Sequence, residues 1–286
     1  MHVIRSSRNG LVSALTFAGL LMLGLPLAVA DEESDDLHPF LTNGFSLDVG
    51  IFHPDREWDL RVNGTIGGPN DEIDFDEGLR LGNPDDIFAA EMAWRFRGRW
   101  SLLAQVFDSS DSASAVLDED IEWGDVVFGA GTGAIAGTDL NLARLFVGRQ
   151  LDTSKYHDVG IGGGIHYLEI GAYIEGTIII NGVPTSARES VSVSAPLPNI
   201  GAWYRYSISP RWAFRTRFDL LSADIGDYSG LLLNASVGVN YQAFRHFGIG
   251  AAYNYFELDV SINRPNWRGD IEMVYQGLYV YVSAYF

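Results

Sequence analysis

Few side chains in this sequence carry the residue types that catalysis needs. The chain has no cysteine, which excludes thiolate catalysis and thiolate metal sites. Two acids, Asp74 and Asp76, and the adjacent His157 and Asp158 are candidates for acid–base chemistry. His166 follows a glycine-rich run and is a further candidate base. The sequence therefore offers three weak catalytic candidates, of which the acid pair Asp74 and Asp76 is far along the chain from both histidines.

Carboxylates are concentrated between residues 53 and 86, where ten acids face three arginines. Ca²⁺ takes six to eight oxygen ligands, so a weak calcium site is one interpretation. The spacing is not that of an EF-hand, and a solvated acidic loop is the more ordinary interpretation. No other cofactor is expected. The calcium candidates are Asp71, Asp74, Asp76 and Glu77.

The elements that position these residues are predicted by a period of two, which sorts the residues of a strand onto two faces. Near the C-terminus one face is apolar and the other carries tyrosine, glycine and serine. A soluble sandwich would bury its large apolar residues and expose its charges. Here small and polar groups lie on the face opposite the apolar one, which is typical of the interior of a small transmembrane barrel.

The same alternation recurs along the chain and predicts an all-β fold, a closed antiparallel up-and-down transmembrane barrel of about ten strands. Short turns alternate with longer polar stretches near 53–86, 110–137, 180–191 and 263–269, and the longer ones are expected outside the cell. Eight or twelve strands stay open, because 57–80 and 113–130 have room for an added hairpin. Arg144 interrupts one face and suggests a β-bulge. The predicted strands are 45–52, 87–96, 99–108, 138–149, 158–175, 193–208, 211–223, 229–243, 246–262 and 270–286.

Charged residues of both signs fall on the predicted inner face. A barrel of eight to ten strands is about filled by its own side chains, so an internal salt-bridge plug is the favoured interpretation. A narrow polar pore is the alternative, in which Arg215 and Arg217 would favour anions. The predicted lumen network is Asp48, Glu91, Arg95, His166, Arg205, Arg215, Arg217 and Asp219. A hydrogen-bonded lumen histidine is favoured for His166 over a catalytic base.

The N-terminal region predicts export. Residues 1–30 have a basic start, an apolar stretch and the small-residue sequence Ala28-Val29-Ala30, which together predict a cleaved signal peptide. An acidic segment, 31–43, and a barrel domain, 44–286, follow. Without residues 1–30, which hold two arginines and no acid, 17 Lys and Arg face 37 Asp and Glu, a net charge of −20. Such a charge argues against nucleic-acid binding.

The export signal, the alternating strands and the terminal Tyr285-Phe286 resemble the small outer-membrane β-barrel families of Gram-negative bacteria, OmpA-like and porin-like. The resemblance implies an outer-membrane location, periplasmic termini, and contact with lipid and lipopolysaccharide. It also implies recognition by the barrel-assembly machinery, since the C-terminal pattern is similar to the signal that this machinery reads. The matching residues are Phe286, Val282, Val280 and Leu278, while Ala284 stands where an aromatic residue is common. The oligomeric state is left open.

Some barrels of this kind are enzymes: omptin-like proteases use acidic pairs with a histidine, and barrel lipid hydrolases use serine and histidine. In this chain His157 falls in a short, periplasmic turn and Asp74 in the first outer loop, so the membrane would separate them. We therefore expect no enzyme, with a rim hydrolase as a distant alternative. Four tryptophans near strand ends are expected to anchor the barrel at the lipid interface: Trp94, Trp100, Trp203 and Trp212.

Overall fold

A computed structural model describes residues 36–64, 72–74, 86–117, 121–123, 126–180, 183–225, 228–264 and 267–286. The predicted signal peptide, 1–30, lies outside these residues. Within the described ranges no helix is both long and apolar enough to cross a membrane.

Ten antiparallel strands form the wall of a closed barrel, because each pairs with its neighbours and the last strand pairs with the first from Ser46–Tyr285 to Gly64–Trp267. Three short strands are accessory: β2 (Glu72–Asp74) pairs with β1, and β5 (Ile121–Trp123) pairs with β6 (Val126–Phe128). One helical turn, α1 (Pro39–Thr42), precedes the barrel. The ten wall strands are β1 (Phe45–Gly64), β3 (Ile87–Phe96), β4 (Trp100–Val116), β7 (Gly133–Ser154), β8 (His157–Ile180), β9 (Val183–Ser209), β10 (Trp212–Ile225), β11 (Tyr228–Gln242), β12 (Phe247–Arg264) and β13 (Trp267–Tyr285).

The predicted fold and strand number are confirmed, but several strands are longer than predicted. Residues 183–191, expected in a loop, belong to β9 and pair with the end of β8. In the same way, β4 runs to Val116 and pairs with β7 from Gly133 onward. These extensions carry serine and other polar residues on their outer face, so they lack the apolar alternation from which the shorter strands were predicted.

The polarity of the two faces reverses part-way along the strands, as β8 shows. In its first half Ile161 and Ile165 point outward and are half-exposed, while His166 points inward and is buried. Beyond Tyr167 the outward residue is the exposed Glu169, and the inward residues Leu168, Ile170 and Ile174 are buried and apolar. A belt of about nine residues is thus apolar outside, which matches the tilted strand length that crosses the hydrocarbon core. Beyond the belt, the barrel has the inside-apolar pattern of a water-exposed β-structure.

Four short turns lie at one end of the barrel, which we call the short-turn end: Arg97–Arg99, Lys155–Tyr156, Pro210–Arg211 and Ala243–His246. The first and last barrel residues meet there, since Phe45 and Phe286 exchange backbone hydrogen bonds of 2.8 and 2.9 Å. The opposite end, beyond the apolar belt, is called the far end. Trp94, Trp100 and Trp212 lie near the short-turn end with their side chains exposed on the outer surface.

The predicted bulge at Arg144 is wrong. Pairing runs without interruption through Arg144 on both sides, to Gln105 of β4 and to His166 of β8. The register shift of β7 lies between Gln150 and Asp152. Arg144 simply occupies a lumen position, where a charge is compatible with the alternation.

A charged lumen network and an N-terminal segment in the barrel mouth

Ion pairs cross the full width of the lumen within the apolar belt. Arg215 on β10 contacts Asp48 on β1 at 2.5 Å and Glu91 on β3 at 3.2 Å. Arg217 contacts the other oxygen of Glu91 at 3.4 Å and donates to Gln105 of β4 at 3.0 Å. Strands β10 and β3 are five places apart in the ring of ten, so these pairs lie along a diameter.

A second part of the network is centred on Asp219. This carboxylate has no exposed surface and contacts Arg144 Nη2 at 2.7 Å and Arg217 Nε at 3.6 Å. The Arg144 guanidinium also lies 4.4 Å from the centre of the Phe146 ring. The sequence predicted a bulge at Arg144 and did not predict it as a member of the lumen network, although it shares the inward parity of its strand with Leu142 and Phe146.

His166 is completely buried beside this network. Its Nε2 lies 3.1 Å from the side-chain nitrogen of Asn234, and the Asn234 oxygen is 3.5 Å from Arg217. The ring is thus a member of the hydrogen-bonded lumen interior.

Two of the predicted network residues, Arg95 and Arg205, belong to a separate cluster nearer the short-turn end. Both contact the same Asp158 oxygen, at 3.2 and 3.4 Å. Trp203 donates its indole N–H to the other Asp158 oxygen at 3.0 Å. Trp203 was predicted to anchor the barrel in lipid, and that prediction is wrong. Its side chain lies in the lumen against Gly148 and Gly160, where the absence of a Cβ makes room for the indole.

The described part of the predicted acidic segment, residues 36–43, folds back into the mouth of the barrel. Pro39 opens α1, and the His38 ring caps it by accepting the Phe40 N–H at 3.1 Å. The His38 N–H donates to Ser207 Oγ at 2.9 Å, and its ring meets Tyr285 edge-on at 5.5 Å. Because this ring is desolvated, burial lowers the pKa of His38 to about 4.

Arg95 and Arg205 also hold residues 36–43 in the mouth of the barrel. Arg95 donates to the carbonyls of Phe40 and Leu41, and Arg205 lies 4.5 Å above the Phe40 ring. Phe40 is buried in a small apolar cluster with Ala213 and Tyr285. The hydropathy of residues 36–43 does not predict this docking, because the docking depends on a pocket formed by strands that are far along the chain.

Three tyrosines of β13 line the lumen beside the ion pairs. Tyr281 donates to the Asn240 side-chain oxygen at 2.9 Å, and Asn240 donates to Tyr285 at 2.9 Å. Tyr279 donates to the Ala89 carbonyl at 3.2 Å. The alternation predicts these tyrosines on the face opposite the apolar one, but it does not predict that they join the lumen network.

The apolar residues of the C-terminal pattern, Leu278, Val280, Val282 and Phe286, all point outward and are about half-exposed. Their orientation fits the predicted lipid-facing row. Recognition by the assembly machinery stays a prediction.

The described backbone sets His157 and Asp74 at opposite ends of the barrel. His157 lies at the short-turn end, where its Nδ1 contacts Tyr204 Oη at 2.7 Å and its ring stacks on Tyr206. Asp74 lies in β2, which pairs with β1 at the far end opposite Asp59. Of the calcium candidates, Asp71, Asp76 and Glu77 lie outside the described residues, and only the backbone of Asp74 is described. Among the described residues no group of three or more acids and histidines has a metal-binding arrangement.

Comparison with solved structures identifies the fold. No protein-family profile matches the chain, and no curated protein matches it. The outer membrane protease OmpT from Escherichia coli is similar, with a TM-score of 0.55 and 12% identity over 85% of this chain and 96% of OmpT. This chain has an outer-membrane β-barrel fold. At that identity the likeness concerns the fold alone and transfers no activity.

Two further solved barrels match more distantly. The attachment invasion locus protein Ail of Yersinia pestis matches at a TM-score of 0.27 and 12% identity, over 83% of this chain and 99% of Ail. The toluene transporter TodX of Pseudomonas putida matches at 0.30 and 9% identity, over 87% of this chain and 91% of TodX. Neither carries an argument about function.

Proposed function

We propose that this protein is a closed outer-membrane barrel of structural or binding type, whose lumen is sealed against solute flow, with both termini in the periplasm. The observation that carries the proposal is the set of ion pairs along the diameter, from Arg215 and Arg217 to Glu91. Charged side chains that neutralise one another across the lumen occupy the space that a permeating ion would need.

Two more layers support the sealed lumen. At the short-turn end, residues 36–43 occupy the mouth, with Phe40 and His38 buried. Toward the far end the lumen side chains form a close-packed apolar cluster that includes Phe107, Leu168 and Tyr275. Apolar packing of this kind excludes water as a protein core does.

The far end supports a role in surface presentation. Strands β8 and β9 are the longest of the described wall strands, and the outer face of their hairpin displays exposed Ser186, Ser190, Ser192 and Ser194. A rigid anchor in lipid with polar hairpins above it is suited to contact with other molecules at the cell surface. The proposal assigns no catalytic role, in keeping with the separation of His157 from Asp74.

Conductance in planar bilayers tests the proposal. Purified, folded protein is expected to give no steady current, whereas a general porin inserted in the same bilayer conducts. The alternative, a narrow anion pore, predicts a stable open level whose anion preference is lost in an R215Q/R217Q variant. A stable open level in the unaltered protein would overturn the sealed lumen. Heat-dependent mobility on gels verifies that each sample is folded before it is measured.

A further inference from the structure

Exposed cations surround the short-turn end of the barrel. Every one of its four short turns carries at least one arginine or lysine, either within the turn or in the strand ends beside it. All of these side chains are exposed. We call this set the basic girdle: Arg97, Arg99, Arg149, Lys155, Arg211 and Arg245.

Few of the described carboxylates lie beside the girdle. Among the described side chains, Asp36 is the exposed acid of the short-turn end, and it pairs with Lys155 at 3.4 Å. Exposed acids lie instead on the far side of the belt, among them Asp86, Asp108 and Glu169. Where side chains are described, the exposed charged groups of the short-turn end are therefore mostly basic, although the composition of the chain is strongly acidic.

Aromatic side chains lie at the same level as the girdle. Trp100 pairs across strands with Arg149, and Trp212 follows Arg211 directly, with its ring 4.9 Å from that of Tyr241. Exposed indoles are typical of the headgroup level of a membrane, so the adjacent guanidinium groups lie within reach of lipid phosphates. Arginine is suited to this role because its planar fork binds phosphate oxygens in pairs.

We propose that the basic girdle binds the headgroups of anionic phospholipids in the leaflet on the short-turn side of the barrel. The inference rests on the membrane placement proposed above and does not depend on whether the lumen conducts. Phosphatidylglycerol has the required chemistry, a phosphodiester with a net negative charge. Phosphatidylcholine carries the same phosphodiester neutralised by its own cation and is the matched comparison.

Quenching of tryptophan fluorescence by brominated lipids measures this preference directly, since Trp94, Trp100 and Trp212 face outward near the girdle. The full protein is reconstituted in vesicles that contain brominated phosphatidylglycerol or brominated phosphatidylcholine. The expected association constant is about fivefold higher for the anionic lipid, the effect of about one favourable cation contact near a charged surface. High salt should reduce the ratio, because these contacts are screened.

Five substitutions, R97Q, R99Q, R149Q, R211Q and R245Q, keep Lys155 and its partner Asp36 intact. In this variant the ratio is expected to fall to about one. The R188Q variant is the control, because Arg188 is exposed at the far end and pairs with Glu175 at 3.2 Å; its ratio should equal that of the unaltered protein.

Equal association of the two lipids with the unaltered protein, or an undiminished preference in the folded fivefold variant, would overturn the inference. Loss of the preference in R188Q as well would also overturn it, by showing that overall charge and not the girdle is responsible. A failure of the sealed-lumen proposal appears separately, as a current in planar bilayers.

Discussion

Removing the charge of Asp219 while keeping its shape should destabilise the barrel strongly. The Asp219→Asn substitution leaves Arg144 as a buried cation, because Asp219 Oδ1 is its carboxylate contact at 2.7 Å. At an effective dielectric constant of about 20, two unit charges at that distance attract by about 6 kcal/mol. The substitution also removes the cost of burying the carboxylate, which offsets part of the lost attraction. Glu91 still attracts Arg144 at longer range. We expect a net loss of about 3 kcal/mol, at the lower end of what breaking a buried pair costs.

Urea unfolding of the barrel in lipid vesicles, followed by tryptophan fluorescence, measures this loss. The R144M/D219N double variant removes both charges and should recover at least half of the stability, since a buried pair contributes little relative to an uncharged one. Asp108→Asn is the matched control: that carboxylate is exposed on the outer face beyond the belt, and its loss should change the free energy of unfolding by less than about 0.5 kcal/mol. A loss below about 1 kcal/mol for D219N, or no recovery in the double variant, would refute the reasoning.

Two further predictions concern the barrel mouth. The lowered pKa of His38, about 4, means that the undocked segment takes up a proton more readily than the docked one, so docking should weaken as pH falls from about 6.5 to about 4. Hydrogen exchange of the Phe40 amide should lose protection over that window, and constant protection down to pH 4 would contradict the mechanism. Gly160→Ala should lower the free energy of unfolding in urea by about 1–3 kcal/mol, because the added Cβ would meet the Trp203 ring. Gly44→Ala should cost less, because no atom lies within 4 Å of the Cβ that it would add. Equal losses of stability in the two variants would count against the packing argument.

The sequence by itself determined the fold and the direction in which most side chains point. Alternation is a local property, since neighbouring residues of a strand must face opposite sides wherever the strand lies. That is why the alternation predicts His166, Arg215 and Asp219 on the inner face, and the structure buries all three. The strand ends were underestimated, because beyond the apolar belt serine-rich residues continue the pairing without the hydrophobic signal.

The tertiary structure decided which inward residues meet. Arg217 reaches Glu91 only because ten strands close into a ring that sets β10 opposite β3. The number of residues between two strands does not show which strands will face each other across the barrel. The second cluster has a similar origin, since Asp158 contacts Arg205 of the next strand, β9, and also Arg95 of β3, which is remote in sequence. Trp203 shows the limit most clearly, because its residue type predicts a lipid anchor. Glycines on β7 and β8 open a space for its ring inside, and the pairing register of these strands with β9 decides that they face it.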